Sequence, residues 1–523
     1  MKVCSLNPVP GTPGTGRNID QIVFREMIQV ALIEHNLPYS FVEYRRIREA
    51  WHYLNPSIQF WCRNTAASDC LKIYEREKLK LRQKLKEIPG RICLTTDLWR
   101  ALTVEGYLCL TADYIDIDWS LKSRILDFCA FPPPHTGGAI AMKIMELLKE
   151  WELEKKVFTI TVDNASSNDN MQSILKRQLR RELVCGGEFF HVRCVAHILN
   201  LIVQDGLSVI VGSLEKIRDS VKFVQVTESR EKLFQSCVDM VVIDPKDKDK
   251  GLVMDVSTRW NSTHLMLDRA IIYRETFRHM SEIEAAYQIS NQFNDDEVIS
   301  EMVALMKPKF SKYWEEYSDI VAIAAVLDPR LKLPFLEYCF TTLDASTCKL
   351  KMDHLKKKIK KLFDVYKKNT KKNMGFCAFI SQNAGGSATI GKSALDKYLE
   401  EPVIDIMTFP SLNVLSYWRD NANRFKELSA MACDVLSIPI TTVASESSFS
   451  IGSRVLNKYR SSLLPSNVRA LICTRNWLRG FESLDNKFFD HLNLVIFLLE
   501  TDNQIFLGDE VNFEPLEEVG EEI

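Results

Sequence analysis

The segment FTITVDNASSN, residues 158–168, joins a run of β-forming residues to an acid and a cluster of small polar side chains. Its first five residues are typical of a buried strand, which we expect to end at Asp163. A turn needs only turn-forming residues at this point, whereas an active site needs an acid on a rigid support. The segment therefore raises the question of whether Asp163 takes part in chemistry.

The sequence around this segment predicts an ordered series of strands and helices. Three strands in succession are expected from RICLTTDLW, EGYLCLTADYID and KSRILDFCAF, followed by an amphipathic helix in AIAMKIMELLKEWEL. The strand VFTITVD comes next, then a helix at about 169–182 and a fifth strand in EFFHVRCVAH. This order is similar to that of the RNase H-like α/β fold.

Two further acids, Asp97 and Glu446, are candidates for the same catalytic site as Asp163. Asp97 is expected to close the strand ICLTTD, and in this fold the first and fourth strands are neighbours, so Asp97 and Asp163 would converge. Paired carboxylates suit Mg²⁺, and two such ions can stabilise phosphoryl transfer. Glu446 lies among small residues that would let a helix pack closely. The alternatives are that each Asp caps a turn or helix and that Glu446 is a helix-surface residue.

Composition narrows the class of protein. The 523 residues are 46% hydrophobic and 26% charged with a net charge of −2, so the whole chain lacks the charge of a nucleic-acid-binding protein. The 14 cysteines have no disulfide-scaffold spacing, and no signal peptide or long apolar run is evident. We expect an intracellular protein with free thiols and no membrane partner.

Six motifs in order resemble those of the hAT-superfamily transposases, and most resemble the plant RICESLEEPER-like proteins derived from them. The motifs are LTTDLW with EGYLCLTADYID, TVDNASSN, FHVRCVAHILNLIVQDGL, STRWNST and ASESSFSIGSRVL with YRSSL, and the likeness spans roughly residues 18–480. The resemblance implies an RNase H-like core interrupted by a large helical insertion, with an N-terminal helical region and a C-terminal dimerisation region. It places the family's DDE triad, and its Mg²⁺ ligands, on Asp97, Asp163 and Glu446.

The resemblance also implies a domain layout. The expected ranges are a disordered leader at 1–17, a helical region at 18–89, the first part of the core at 90–264, the insertion and linker at 265–393, the dimerisation region with the last core helix at 394–480, and an acidic tail at 481–523.

Three residues gain a possible DNA contact from the family likeness. Arg259 and Trp260 match an Arg-Trp pair that resembles a device for holding a flipped base, and an indole ring can stack on any base. His197, in a Cys194-x-x-His197 motif, would position DNA or support the acids. The alternative for Trp260 is an ordinary core residue. Two ligands do not make a structural zinc site, which needs four.

Relatives of this type usually carry a BED zinc finger before the helical region, and we expect none in this chain because it has no Cys-x-x-Cys pair. DNA contacts would then use basic residues of two helices. In the first helix a solvated face is the favoured interpretation, and in the second the two interpretations are equally consistent with the sequence. The basic residues are Lys78, Lys80, Arg82, Lys84 and the lysines between 356 and 372.

The first functional hypothesis is a transposase-derived nuclear host protein that binds DNA and homodimerises through its C-terminal region. The alternatives are an active Mg²⁺-dependent cut-and-paste transposase and a dimeric scaffold that does not bind DNA.

Overall fold

The computed structural model describes residues 19–481 apart from 102–104, 243, 249, 257–259, 284–294, 316–318, 372–391 and 457–462. The chain forms two compact units. One is built from the residues up to Val192 together with those from Ser318 onward, and the other is Arg193–Tyr317. The leader and the tail expected at the two ends lie outside the described residues.

Three helices precede the sheet. They are α1 (Gln21–Glu34), α2 (Arg45–Leu54) and α3 (Arg63–Glu87), with a short 3-10 helix at Tyr39–Glu43 before α2. Asp20 starts α1 by accepting hydrogen bonds from the backbone nitrogens of Ile22 and Val23, at 2.9 and 3.2 Å, which satisfies donors that a helix start leaves unpaired.

A five-stranded sheet forms the centre of the first unit. Its elements are β1 (Ile92–Arg100), β2 (Gly106–Ile115), β3 (Leu121–Ala130), α4 (Gly137–Trp151), β4 (Val157–Val162), α5 (Ser166–Leu179) and β5 (His191–Arg193). The strand order is β3-β2-β1-β4-β5, with β1 antiparallel to β2 and parallel to β4. The predicted element order and the predicted pairing of the first and fourth strands are both confirmed.

The second unit is helical. Its helices are α6 (Val195–Leu207), α7 (Val211–Gln225), α8 (Glu228–Val241), α9 (Pro245–Lys248), α10 (Trp260–Ile272), α11 (Arg274–Ile283) and α12 (Asp295–Glu315), with a 3-10 turn at Ser208–Ile210. This unit begins at Arg193, the last residue of β5. The boundary between core and insertion at 264/265 stays a prediction.

The stretch Val195–Gln225, which contains α6 and α7, is long and apolar enough to cross a membrane, although core helices of soluble proteins pass the same test. Two of its charged residues pair with partners elsewhere in the second unit. Asp205 accepts from Lys309 at 2.7 Å, and Arg218 donates to Asp255 at 2.7 Å. Such a stretch is weak evidence for a membrane, and the absence of a membrane partner stays a prediction.

The remaining helices return to the first unit. They are α13 (Asp319–Val326), α14 (Lys332–Lys371, interrupted at Asp344), α15 (Ala394–Glu400), α16 (Val414–Asp420), α17 (Lys426–Leu436), α18 (Val443–Val455) and α19 (Pro465–Arg479). α19 packs on α3, where the rings of Tyr74 and Trp477 stack with their centroids 5.2 Å apart. The two ends of the described chain therefore share one core.

The two faces of the sheet differ in chemistry. Alternate residues such as Leu94, Leu108 and Ile160 form an apolar core with α4 and α5. The residues between them point to the opposite face, where apolar side chains such as Tyr107 and Cys109 adjoin the fully buried hydroxyl groups of Thr95 and Thr161. This second face is the one that α18 covers, and it carries the acids considered below.

Candidate active site

Strand register brings Asp97 and Asp163 to the same side of the sheet. In the parallel pairing of β1 with β4, Thr95 lies opposite Thr161. Asp97 and Asp163 each follow two residues later, and side chains two apart in a strand share a face. Asp163 directly follows β4, as predicted. The prediction that Asp97 ends its strand is wrong, because β1 continues pairing with β2 as far as Arg100.

Helix α18 contacts this same face one residue before Glu446. The hydroxyl oxygens of Thr95 and Ser445 are 3.0 Å apart, and Thr95 also bonds Thr111 at 2.5 Å. The hydroxyl of Thr161 donates to the carbonyl of Pro439 at 2.6 Å, just before the helix. These buried hydrogen bonds fix the first turn of α18, which contains Glu446, beside the strands that carry the two Asp residues.

Small residues let α18 approach closely, as the sequence suggests. A Cβ atom added at Gly452 would lie 3.1 Å from the ring of Trp99 and 3.2 Å from that of Phe128. The Trp99 ring also stacks on Phe449, with centroids 5.9 Å apart. A larger residue at position 452 would push the helix away from the sheet.

Electrostatics couple the three acids. Burial raises the pKa of Asp97 to about 7, although a hydrogen bond from its own neighbour, the Leu98 backbone nitrogen, works in the opposite direction. The negative charges of Asp163 and Glu446 raise the pKa of Asp97 further. The carboxyl group of Asp97 therefore lies near enough to those of Asp163 and Glu446 for their charges to act on it.

The polar residues after Asp163 hold its carboxylate. Its Oδ1 accepts a hydrogen bond from the Ala165 backbone nitrogen at 3.0 Å and another from the Asn168 side-chain amide at 2.5 Å. Asp163 thus makes the turn contacts that the capping alternative predicted. Those contacts also fix the orientation of the carboxylate, as a metal ligand or a catalytic group would need.

The donor chemistry of this cluster fits a hard divalent cation, since Asp97, Asp163 and Glu446 supply only carboxylate oxygens. Across the described part of the chain, however, no group of three His, Cys, Asp or Glu side chains is arranged to hold a metal ion. Asp163 and Glu446 each act on the charge of Asp97, and metal binding by the three acids stays a prediction.

The predicted DNA-contacting residues lie elsewhere in the chain. His197 is a half-buried residue of α6, following the buried Cys194, and Trp260 begins α10. Both belong to the second unit. Arg259 lies outside the described residues. The roles of these three residues at DNA stay predictions.

The basic residues of α3 are engaged with carboxylates. Lys78 pairs with Glu150, Arg82 with Glu152, Lys80 with Glu77 at 2.8 Å, and Lys84 with Asp116 at 3.8 Å. Because their charge is largely neutralised by neighbouring acids, the solvated or structural interpretation of this helix is favoured over a DNA-backbone contact.

Part of the lysine-rich segment of α14 is engaged in the same way. Lys361 pairs with Glu188 at 2.6 Å, and Lys358 pairs with Glu188 and, at 3.2 Å, with Asp319. At these two positions the lysine side chains tie α14 to other parts of the first unit.

The sequence alone does not predict the contact between the hydroxyl groups of Thr95 and Ser445. A signal for it exists, because Thr95 and Asp97 in β1, and Thr111 and Asp113 in β2, are polar residues at alternate positions among mainly apolar residues. Such alternation indicates a polar sheet face. It does not identify the helix that covers that face.

A mixed sheet in the order β3-β2-β1-β4-β5, covered on one face by α18, is the arrangement of an RNase H-like fold. Four family models match the chain. They are the ZBED1 RNase-like domain at 95–189, the ZBED1 RNase-like helical domain at 192–304, the hAT-like transposase RNase-H fold at 274–366, and the hAT family C-terminal dimerisation region at 394–478.

Known relatives are similar to this chain over most of its length. The "Putative AC transposase" of Zea mays is 31% identical over 88% of this chain and 65% of its own length. RICESLEEPER 2, a zinc finger BED domain-containing protein of Oryza sativa, is 28% identical over 86% of this chain and 73% of its own. DAYSLEEPER of Arabidopsis thaliana, also a zinc finger BED domain-containing protein, is 27% identical over 87% and 73%. The chain belongs to the hAT family and spans about two thirds of the length of the maize relative.

Proposed function

We propose that this chain is a hAT transposase-derived protein that acts on DNA in the nucleus as a homodimer, with its chemistry at Asp97, Asp163 and Glu446. The observation that carries the proposal is the convergence of β1, the end of β4 and the first turn of α18 through the Thr95–Thr161 register and the Thr95–Ser445 hydrogen bond. Asp97 lies within β1, Asp163 directly follows β4, and Glu446 is an exposed residue in the first turn of α18.

The acids would serve as cation ligands. The chemistry that bound Mg²⁺ supplies in such a site is stabilisation of the attacking and leaving oxygens of phosphoryl transfer. Asp163 would enter this role already oriented by Asn168 and the Ala165 backbone nitrogen. Glu446 would be held in register by the contact that its neighbour Ser445 makes with β1.

Self-association is supported by the family match of residues 394–478 to a dimerisation region. DNA as the substrate is supported by the names of the relatives and by the suitability of an all-carboxylate site for phosphodiester chemistry. Nuclear localisation follows from DNA as the substrate.

A host protein that binds DNA without cutting it is the competing proposal, and it is the one that the sequence analysis placed first. Its support is the similarity to the RICESLEEPER and DAYSLEEPER proteins. The two proposals differ in whether the acid cluster performs phosphodiester cleavage.

A cleavage assay separates them. The substrate is linear duplex DNA carrying the sequences that flank the gene, with and without Mg²⁺. We expect Asp163→Asn to lower the cleavage rate at least on the order of 100-fold, since even the outer-shell partners of a metal are worth 10- to 100-fold. The matched control is Asp169→Asn, which removes the same charge from the exposed first turn of α5.

Each outcome of the assay decides something. Binding that persists at about 150 mM salt without Mg²⁺-dependent cleavage favours the host protein. Equal cleavage by wild type and Asp163→Asn contradicts the assigned site. Loss of DNA binding at that salt concentration removes both proposals in favour of a dimeric scaffold.

A further inference from the structure

The turn between α15 and α16 exposes an apolar cluster, which we call the 403–409 turn. It presents Val403, Ile406, Met407 and Phe409 to solvent, with 40%, 39%, 85% and 53% of their surfaces exposed. Scattered apolar residues on a surface are ordinary, but four within seven residues form a local patch. An exposed apolar cluster of this kind is a candidate surface for contact with another molecule.

The turn is closed by its own hydrogen bonds. The carboxylate of Asp405 accepts from the Met407 backbone nitrogen at 3.0 Å and from the Thr408 hydroxyl at 2.5 Å. The Phe409 backbone nitrogen donates to the Asp405 carbonyl at 3.0 Å. Asp405 is the only charged residue between 402 and 412, and its carboxylate is used inside the turn. The apolar side chains are therefore displayed on a fixed and nearly uncharged support.

Two buried cations, Lys332 and Arg330, donate hydrogen bonds to the backbone carbonyls that flank the 403–409 turn. Lys332, 2% exposed, donates from Nζ to the carbonyls of Tyr398 at 2.7 Å, Glu401 at 3.0 Å and Pro402 at 3.5 Å. Arg330 donates to the carbonyl of Pro410 at 2.8 Å while pairing with Asp328 at 2.8 Å. Burial of an ammonium group is costly, and it lowers the pKa of Lys332. The hydrogen bonds from these two cations rigidify the backbone of a turn whose side chains are mostly exposed.

We infer that the 403–409 turn is the surface through which two copies of this chain associate. The inference deepens the proposed function, because it names the residues of the self-association. It stands on the exposed apolar cluster, on the rigid support beneath it, and on the position of the turn within the residues 394–478 that match a dimerisation region. A preformed backbone lowers the entropy lost on association.

A second copy fits this turn better than a charged partner does. In a two-fold symmetric dimer the same patch of each subunit faces the other, so any charged group in the patch lies close to an identical charge. Such a patch should therefore carry few free charges. A turn whose single carboxylate is already hydrogen-bonded meets that condition. Methionine and aromatic side chains are enriched at interface centres, and Met407 and Phe409 are the two most exposed apolar side chains of the turn.

The test is the molar mass of the full chain, measured by light scattering over a range of concentrations. The variant Met407→Asp with Phe409→Asp should weaken the dimer by at least about 30-fold, the scale of an interface hot spot. The control is Ile117→Asp, which places the same charge at an apolar side chain 79% exposed in the β2–β3 turn. Wild type and this control should have twice the chain mass at concentrations where the double variant has one.

Circular dichroism and thermal melting check that the double variant is folded, and Met407→Ser with Phe409→Ser serves as the milder replacement. A folded double variant that stays dimeric overturns the inference and leaves the proposed self-association standing. A wild-type chain that is monomeric at all concentrations overturns both, and the cleavage assay still decides the chemistry independently.

Discussion

At the scale of single residues, the candidate site depends on hydroxyl groups buried between the sheet and α18. Thr95 bridges Ser445 at 3.0 Å and Thr111 at 2.5 Å, so one buried side chain links β1 and β2 to the helix that carries Glu446. Thr95 also lies two residues before Asp97. It is therefore a positioning residue for two of the three acids, and its loss should disturb their relative geometry.

Replacement of Thr95 by Val keeps the shape of the side chain and removes the bridge. We expect unfolding free energy to fall on the order of 1 kcal/mol, and DNA cleavage to slow by about 10- to 100-fold because the acids lose their register. Thr95→Ser should restore the rate. The matched control is Thr96→Val, which removes a buried hydrogen bond to the Cys109 carbonyl at 2.9 Å on the other side of the strand. Equal cleavage rates in the Thr95→Val and Thr96→Val proteins would contradict the positioning role.

At the scale of secondary-structure elements, the loop that holds Asp163 depends on how closely α4 meets α5. A Cβ atom at Gly137 would lie 2.4 Å from the Ser167 carbonyl oxygen and 2.9 Å from the Met171 backbone nitrogen. Both are backbone atoms, which cannot rotate away as a side chain can. The first turn of α5 follows Asp163 directly, so a shift there would reach the acid.

Gly137→Ala should lower the free energy of unfolding by about 1–3 kcal/mol, the usual cost of overpacking. Gly138, the next residue of the same helix, has no atom within 4 Å of its added Cβ, so Gly138→Ala should leave stability unchanged or raise it by up to about 1 kcal/mol. Chemical denaturation of the two variants measures the difference. Equal unfolding midpoints would show that the α4–α5 contact relaxes without cost.

How far the sequence predicts an element depends on which contacts define it. The end of β4 was predictable because a buried run stops at one residue, Asp163. The end of β1 was not, because Leu98 and Trp99 continue its apolar character and β2 continues to pair with it after β4 has stopped. Pattern alone predicts that Glu446 is a helix-surface residue, and the structure shows it exposed in α18; only the family resemblance assigns it to the triad. The contact of Ser445 with Thr95 joins residues far apart in the chain, which periodicity cannot reveal.

At the scale of the whole molecule, the first unit is assembled from two distant parts of the chain. One core contains Ile33, Tyr107 and Phe128 from the first part and Phe449 and Leu471 from the second. β3 lies at the edge of the sheet, where exposed backbone groups invite pairing with other chains. The backbone nitrogen of Ile125 donates to the Asn476 side chain at 2.8 Å, and its carbonyl accepts from the Trp477 indole at 2.6 Å. Helix α19 thus supplies hydrogen-bond partners to the backbone of Ile125 in the edge strand β3.

This division predicts that the first unit needs both parts in order to fold. Residues 1–192 and 318–523, expressed together as separate polypeptides, should purify as a one-to-one complex that melts cooperatively. Each fragment alone should aggregate or lack a cooperative transition, since its half of the shared apolar core would face water. Trp477→Ala in the second fragment should weaken the complex, because it removes both the indole bond to Ile125 and the ring stacked on Tyr74. The control, Leu464→Ala, alters a side chain that is 65% exposed just before α19 and should leave the complex intact. A fragment 1–192 that is monomeric and melts cooperatively by itself would mean that the sheet is stable without the C-terminal helices, and that Glu446 is brought to a core that has already formed.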